Sequence, residues 1–358
     1  MIAANDLSGE AKAQSREEHR YDSKPRGRFT DIDRLKGLGI ILVVWGHVPS
    51  ALISVPDIRY YITISMVYAF HMPLFFYLSG FVFFLSGAPN KFFVNPLRTV
   101  AARFDRLIIP VVLFGTTIII GKYIVGEFFE LQKPVDSILV GLKNLVTNPP
   151  ENPLMSVWYL IVLFIYSVIS PSLWIIAGRR ISLILLMGIF AWLFELTDYY
   201  EIPNEFYARN ILIYYIFFGI GGFVAINHGK LLPQFQKFWA PSLSIFAACL
   251  YLTYTEPFAL LSCGITSAIA LHGLFLQRRL TEERFFLWFG QNTMAIYLLN
   301  TIFIGVCTIT LRPLWGAFPG SYAILVGAIF LTGLLGPITA RVVSSKIKIL
   351  RPLVRYIE

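Results

Sequence analysis

Residues 35–55 read LKGLGIILVVWGHVPSALISV, a stretch whose only charged or titratable side chains are Lys36 and His47. About twenty predominantly apolar residues suffice to cross a bilayer as a helix. Inside hydrocarbon every backbone N–H and C=O must bond within the segment or close into a barrel. The alternating pattern of a barrel is missing here, so the stretch reads as a helix. Nine further segments follow, near 60–85, 107–125, 156–177, 181–197, 211–226, 239–255, 258–276, 285–309 and 322–340. The expected fold class is therefore all-α: a polytopic transmembrane helical bundle of about ten spans.

Composition supports this reading. Of the 358 residues, 56% are hydrophobic, 16% aromatic and only 14% charged, with a mean hydropathy of +0.66. Soluble domains carry about a quarter charged residues, so a soluble enzyme, a disordered chain and a secreted disulfide scaffold are all disfavoured. The three cysteines, Cys249, Cys263 and Cys307, lie in apolar runs and read as packing residues. Residues 1–34 are polar with no apolar core of a signal peptide, so none is expected. The chain divides into a polar, disordered tail over 1–34, a transmembrane domain over 35–343 and a basic tail over 344–358.

The formal net charge is +9, from 30 Lys+Arg against 21 Asp+Glu. In a soluble chain such an excess suggests a nucleic-acid partner; here its distribution reports orientation. With ten spans and a cytosolic N-terminus, 24 of the 30 basic residues fall in cytosolic tails, loops and helix mouths. The rule that basic residues stay inside then places both termini in the cytosol, with the lipid bilayer as the principal partner and no nucleic acid. The glycines of Gly219-Ile220-Gly221-Gly222 fall inside a span, where small residues allow close helix packing.

Titratable groups inside a membrane are costly and point to function. Lys36 and His47 are eleven residues apart, about three helical turns, so they share a face roughly 16 Å apart along the axis. Asp33 lies one turn before Lys36. One face therefore carries a carboxylate and an ammonium at the cytosolic mouth and an imidazole deeper in. The second span returns with His71, in Phe70-His71-Met72-Pro73, near its middle, and Pro73 is expected to kink the helix there. Each histidine alone is equally explained as a hydrogen-bonding residue between helices; the pair at matched depth below a charged mouth favours chemistry. No ligand spacing supports a metal site. Arg98, Arg103, Asp105 and Arg106 sit before the third span, where arginines serve either as topology anchors or as a phosphate-binding mouth. Asn292 and Asn300 lie nearly on one face of the ninth span, as helix glue or as substrate contacts. Trp158-Tyr159 sits at an outer interface, where aromatic belts are also expected.

Taken in order, these segments resemble the acyltransferase-3 family of integral membrane enzymes. Asp33-Arg34-Leu35-Lys36-Gly37 and His47 fall in the register of that family's first-helix pattern, Asp-Gly-Leu-Arg-Gly followed by histidine. Met72 to Gly80 looks like its Pro-Leu-Phe-Phe-x-x-Ser-Gly segment, and Arg103 to Pro110 like Arg-x-x-Arg-Leu-x-x-Pro. Trp158-Tyr159-Leu160 resembles Trp-Phe-Leu, and Gly290 to Asn300 resembles the late helix ending Ile-Tyr-Leu-x-His. Lys36 stands where arginine is usual, a change that resembles the fucose 4-O-acetylase-like branch, and Asn300 stands where the late histidine is usual.

The resemblance implies an O-acetyltransferase in a bacterial inner membrane, moving an acetyl group from cytosolic acetyl-CoA to a sugar hydroxyl of a cell-surface polysaccharide or a lipid-linked precursor. In that expectation His47 is the general base and Asp33 orients or neutralises Lys36. His71 stabilises the oxyanion, shares a proton with His47 or lines the acceptor path. Lys36, Arg103 and Arg106 hold the CoA phosphates, while Trp158, Tyr159 and Asn300 line the acceptor. The rival reading is a transporter or flippase for an anionic or glycolipid substrate. Transporters commonly carry paired broken helices in their two halves, and the Asp33–Lys36–His47 pattern has no counterpart in the second half.

Overall fold

A computed structural model describes residues 29–48, 58–129, 134–148, 154, 157–177, 179–200, 202–252, 259–314 and 321–357. The expected disordered tail therefore lies almost wholly outside the described residues. Sixteen α-helices and no strand occur among the described residues: α1 Thr30–His47, α2 Ile58–Tyr68, α3 His71–Leu85, α4 Ala88–Val94, α5 Pro96–Gly126, α6 Ile138–Thr147, α7 Trp158–Ala177, α8 Arg179–Tyr199, α9 Ala208–Ile226, α10 His228–Lys237, α11 Trp239–Leu252, α12 Ala259–Phe275, α13 Phe285–Gln291, α14 Thr293–Leu311, α15 Ser321–Lys346 and α16 Arg351–Val354. The all-helical expectation holds. Asp31–Glu358 forms one compact unit.

Among the described residues, five stretches are long and apolar enough to cross a membrane: Ile62–Leu85, Pro96–Gly126, Glu205–Ile226, Thr293–Leu314 and Tyr322–Lys346. Five shorter apolar helices accompany them, including Ile138–Thr147, which falls within the long connection between the third and fourth segments. These helices fit an integral membrane protein. Apolar side chains on their outer faces, among them Val112, Ile120 and Ile124 on α5 and Ile324, Leu331 and Leu335 on α15, are exposed, as suits a surface solvated by lipid.

The central helix is α3. Twelve of its fifteen residues are buried, and it lies against α9 and α12, with α8 flanking α9 and α14 pairing with α15. Glycines set how closely α3 and α9 approach. A Cβ on Gly80 would lie 2.0 Å from the Phe218 carbonyl oxygen, and one on Gly221 would lie 2.0 Å from that of Tyr77. Only residues without a side chain allow backbones this near, so the Gly219–Gly222 run serves helix packing, as its sequence suggested.

Two expected spans are interrupted, each for a local reason. The second span breaks at 69–70 rather than kinking at Pro73. A proline inside a continuous helix would lose an N–H and press its ring on the carbonyl four residues back, here Ala69. The chain instead restarts at His71, which puts Pro73 in the tolerant first turn of α3. The ninth span breaks at Asn292, between α13 and α14. The Asn292 side-chain amide donates to the Trp288 carbonyl oxygen (2.8 Å), and its oxygen accepts from Arg341 (2.7 Å), which ties the break to α15. Pro49 disfavours helical geometry at Val48, and α1 accordingly ends at His47.

Candidate active site

The N-terminal turns of α1 are held by backbone contact. A Cβ on Gly290 would stand 1.7 Å from the Asp33 carbonyl oxygen, and one on Gly37 would stand 1.9 Å from that of Phe286. The two glycines thus let α1 and α13 cross with almost no separation. Arg34, only 3% exposed, fastens the crossing: its Nε donates to the Glu283 carbonyl oxygen (2.8 Å) and a terminal nitrogen donates to that of Thr281. The Glu283 carboxylate accepts from the Phe286 N–H (3.0 Å) at the start of α13. With the helix fixed, Lys36 Nζ lies 3.7 Å from Asp33 Oδ1, so the expected carboxylate–ammonium pair at the mouth is formed.

Three turns further on, the His47 Nδ1 is 2.8 Å from the Asn300 Oδ1. Asn300 comes from α14 and is fully buried. Its amide nitrogen donates to the carbonyl oxygens of Ile296 (2.7 Å) and Tyr297 (2.9 Å) in its own helix. His71, the first residue of α3, is buried, and its Nδ1 is 2.7 Å from the Val67 carbonyl oxygen. That carbonyl also accepts from the Phe70 N–H (3.2 Å), so the helix break supplies the acceptor that orients the ring. A carbonyl oxygen only accepts, so His71 Nδ1 carries the proton. Tyr68 joins the two histidines: its ring meets His71 edge-on at 5.0 Å, and its hydroxyl donates to the carbonyl oxygen of Gly46 (3.2 Å), next to His47.

The remaining expected residues divide. Tyr159 is buried, its hydroxyl is bonded to Ser79, and its ring meets Phe76 (4.8 Å) and Tyr297 (5.7 Å). It is a core residue linking α3, α7 and α14, where its partner Tyr297 lies one turn before Asn300, rather than a member of an interfacial belt. Trp158 packs on Tyr214 at 5.1 Å, and Tyr214 stacks on Phe76. Arg103 lies over the Phe83 ring at 4.9 Å at the far end of α3 from His71, and Arg106 is exposed one turn along α5. Below them, Arg355 pairs with Asp105 (2.9 Å), so the C-terminal segment returns to the base of α5.

One polar chain escaped the sequence reading. The Tyr77 hydroxyl is 2.6 Å from His272 Nδ1, and His272 Nε2 is 3.4 Å from Asp31 Oδ2, joining α3, α12 and α1. Burial acts to raise the Asp31 carboxyl, but the hydrogen bond and electrostatic attraction of His272, with the backbone N–H groups of Asp31 and Ile32, together hold the group below the usual carboxylate range. The three residues lie far apart in sequence, and no spacing rule connects them. Among the described residues no group of three or more His, Cys, Asp or Glu is arranged to hold a metal ion.

An apolar helical bundle with a half-buried and a buried imidazole linked through Tyr68, beneath a carboxylate–ammonium pair, defines a membrane protein built around a polar site. The particular family follows from comparison: the acyltransferase-3 family model, described as an acyltransferase domain, matches residues 29–337. The chain belongs to that family, and the match points to a membrane acyltransferase. No curated protein and no solved structure matches the chain.

Proposed function

We propose that the protein is an O-acetyltransferase moving an acetyl group from cytosolic acetyl-CoA to a hydroxyl of a sugar, on a cell-surface polysaccharide or its lipid-linked precursor. The observation that carries the reading is the hydrogen-bonded pair of half-buried His47 and buried Asn300, at the end of the helix face that begins with Asp33 and Lys36. A hydroxyl is a poor nucleophile until its proton is removed, and imidazole is the side chain best suited to that work near neutral pH.

In this reaction His47 takes the proton from the sugar hydroxyl as the oxygen attacks the thioester carbonyl. The new C–O bond forms, the C–S bond breaks, and the proton returns from His47 to the departing thiolate, leaving CoA and the acetyl ester. Lys36, Arg103 and Arg106 bind the phosphates of CoA at the cytosolic side, and Asp33 sets the position of Lys36. Trp158 and Tyr159, on the aromatic wall with Phe76 and Tyr214, line the acceptor side. His71, with its Nδ1 proton committed to Val67, offers a lone pair while neutral. It therefore suits accepting from the acceptor hydroxyl better than donating to the thioester oxyanion. Lys36 in place of arginine favours the fucose 4-O-acetylase-like branch and a bacterial inner membrane as the setting.

The test is transfer of label from acetyl-CoA to candidate glycans by purified protein. His47→Ala should lower transfer by at least about 100-fold, the lower range for a general base, with membrane insertion unchanged. Full activity in that variant removes the base from the scheme, and absence of transfer with every acyl donor removes the acyltransferase reading.

A further inference from the structure

The Asn300 side chain has a single orientation consistent with its surroundings. An amide offers two N–H donors on one end and an acceptor oxygen on the other. The nitrogen end lies against two carbonyl oxygens, of Ile296 (2.7 Å) and Tyr297 (2.9 Å). Exchanging the ends would press the amide oxygen onto both of them with no proton between, in a fully buried place. Oxygen and nitrogen of an amide are assigned from such networks, and this one fixes Oδ1 toward His47. An amide oxygen only accepts, so the atom 2.8 Å from it, His47 Nδ1, must bring the proton.

A neutral imidazole carries one N–H, and fixing it on Nδ1 leaves the lone pair on Nε2. We propose that Asn300 is a positioning residue for His47: its amide oxygen holds the ring in the Nδ1–H tautomer, and Nε2 is the atom that takes the proton from the acceptor. The inference rests on the proposed role of His47 as base and adds which nitrogen acts and what selects it. The helix dictates the selection, because both amide protons are spent on the backbone of α14 and the oxygen has no freedom to turn. His71 is held in the same tautomer by the Val67 carbonyl, so the two rings present the same nitrogen.

Three measurements test this. In purified protein, ¹⁵N spectra of the five histidines, with His47 assigned by its loss in His47→Gln, should show Nδ1 protonated and Nε2 bare. Asn300→Leu, close in shape and unable to accept, should remove that tautomer preference and lower kcat by about 100-fold with the KM for acetyl-CoA unchanged. Asn300→Asp retains an acceptor and adds a charge that favours the imidazolium. It should keep more activity than Asn300→Leu and move the acidic limb of the pH–rate profile to higher pH, since the base must still be deprotonated to act. A purely structural asparagine would change stability in both variants and shift neither the tautomer nor the limb. An unchanged His47 spectrum in Asn300→Leu, kcat within twofold of the unaltered protein, or an unshifted limb in Asn300→Asp overturns the proposal. Loss of transfer in His47→Ala together with full transfer in Asn300→Leu overturns this inference alone; full transfer in His47→Ala overturns it with the base reading.

Discussion

Lys36 shows how much one side chain is asked to do at the mouth of the site. Its ammonium lies 3.7 Å from the Asp33 carboxylate, and its side chain is 30% exposed. It thus has a partner within the protein and a face open to an anion. A point charge of this kind binds phosphate without the geometric demand of a guanidinium fork. Replacing Lys36 by Ala should raise the KM for acetyl-CoA about tenfold, equivalent to about 1.4 kcal/mol, near the lower value of a charge-assisted hydrogen bond. Lys36→Arg should recover most of the loss, because charge is kept and the reach is similar. Steady-state kinetics against acetyl-CoA decide it, and equal losses in the two variants would mean that shape rather than charge matters. Residues of this kind are legible in sequence, because a lysine or histidine inside an apolar run has few explanations. Asn300 was legible only as a candidate contact. Its partner is 253 positions away, and nothing in local spacing reveals that its oxygen faces an imidazole.

Helices are where the sequence reading and the structure diverge most usefully. Periodicity and hydropathy located the apolar segments, but the breaks at 69–70 and 292 depend on which polar groups find partners across helices. Pro73 marked the first break to within a turn; Asn292 gave no comparable signal, since its role needs Arg341 on another helix. Of the glycine crossings, only the Gly219–Gly222 side was legible as packing residues, and none was legible as a pair. Gly290 makes the strongest prediction. A methyl there meets the Asp33 backbone at 1.7 Å and the Gly37 nitrogen at 3.2 Å, contacts that no rotamer change relieves. Gly290→Ala should therefore cost about 1–3 kcal/mol through overpacking, read as a lower Tm in detergent. It should also reduce transfer, because α1 carries Asp33 and Lys36. Gly327, with open space where its Cβ would stand, is the control: Gly327→Ala should be neutral or slightly stabilising, as helix propensity favours alanine. Similar melting of both variants would disprove the close α1–α13 crossing.

The whole molecule must present its two ends to different sides of the membrane. The transfer scheme needs the CoA phosphates and the sugar to approach His47 from opposite ends of one polar path. Acetyl-CoA is made in the cytosol, so the Lys36 end of α1 must face it. Charge distribution leads to the same orientation independently, since turning the chain over would move most of its Lys and Arg to the outside. Two elements lie where this orientation can be tested. The polar helix His228–Lys237 has no buried residue and falls on the predicted cytosolic side. Ile138–Thr147 falls on the predicted outer side, packed under Tyr207, whose hydroxyl donates to the Leu145 carbonyl oxygen (2.6 Å). In a variant with Cys249, Cys263 and Cys307 replaced, a single cysteine at Ser137 should react with an impermeant maleimide added to intact cells, and one at Gln234 should react only after the membrane is opened. A fluorescent protein fused after Glu358 should fold and fluoresce, as expected for a cytosolic C-terminus. The reverse labelling pattern would place Lys36 on the acceptor side and leave CoA without its basic mouth, so it would defeat the transfer direction and the orientation together.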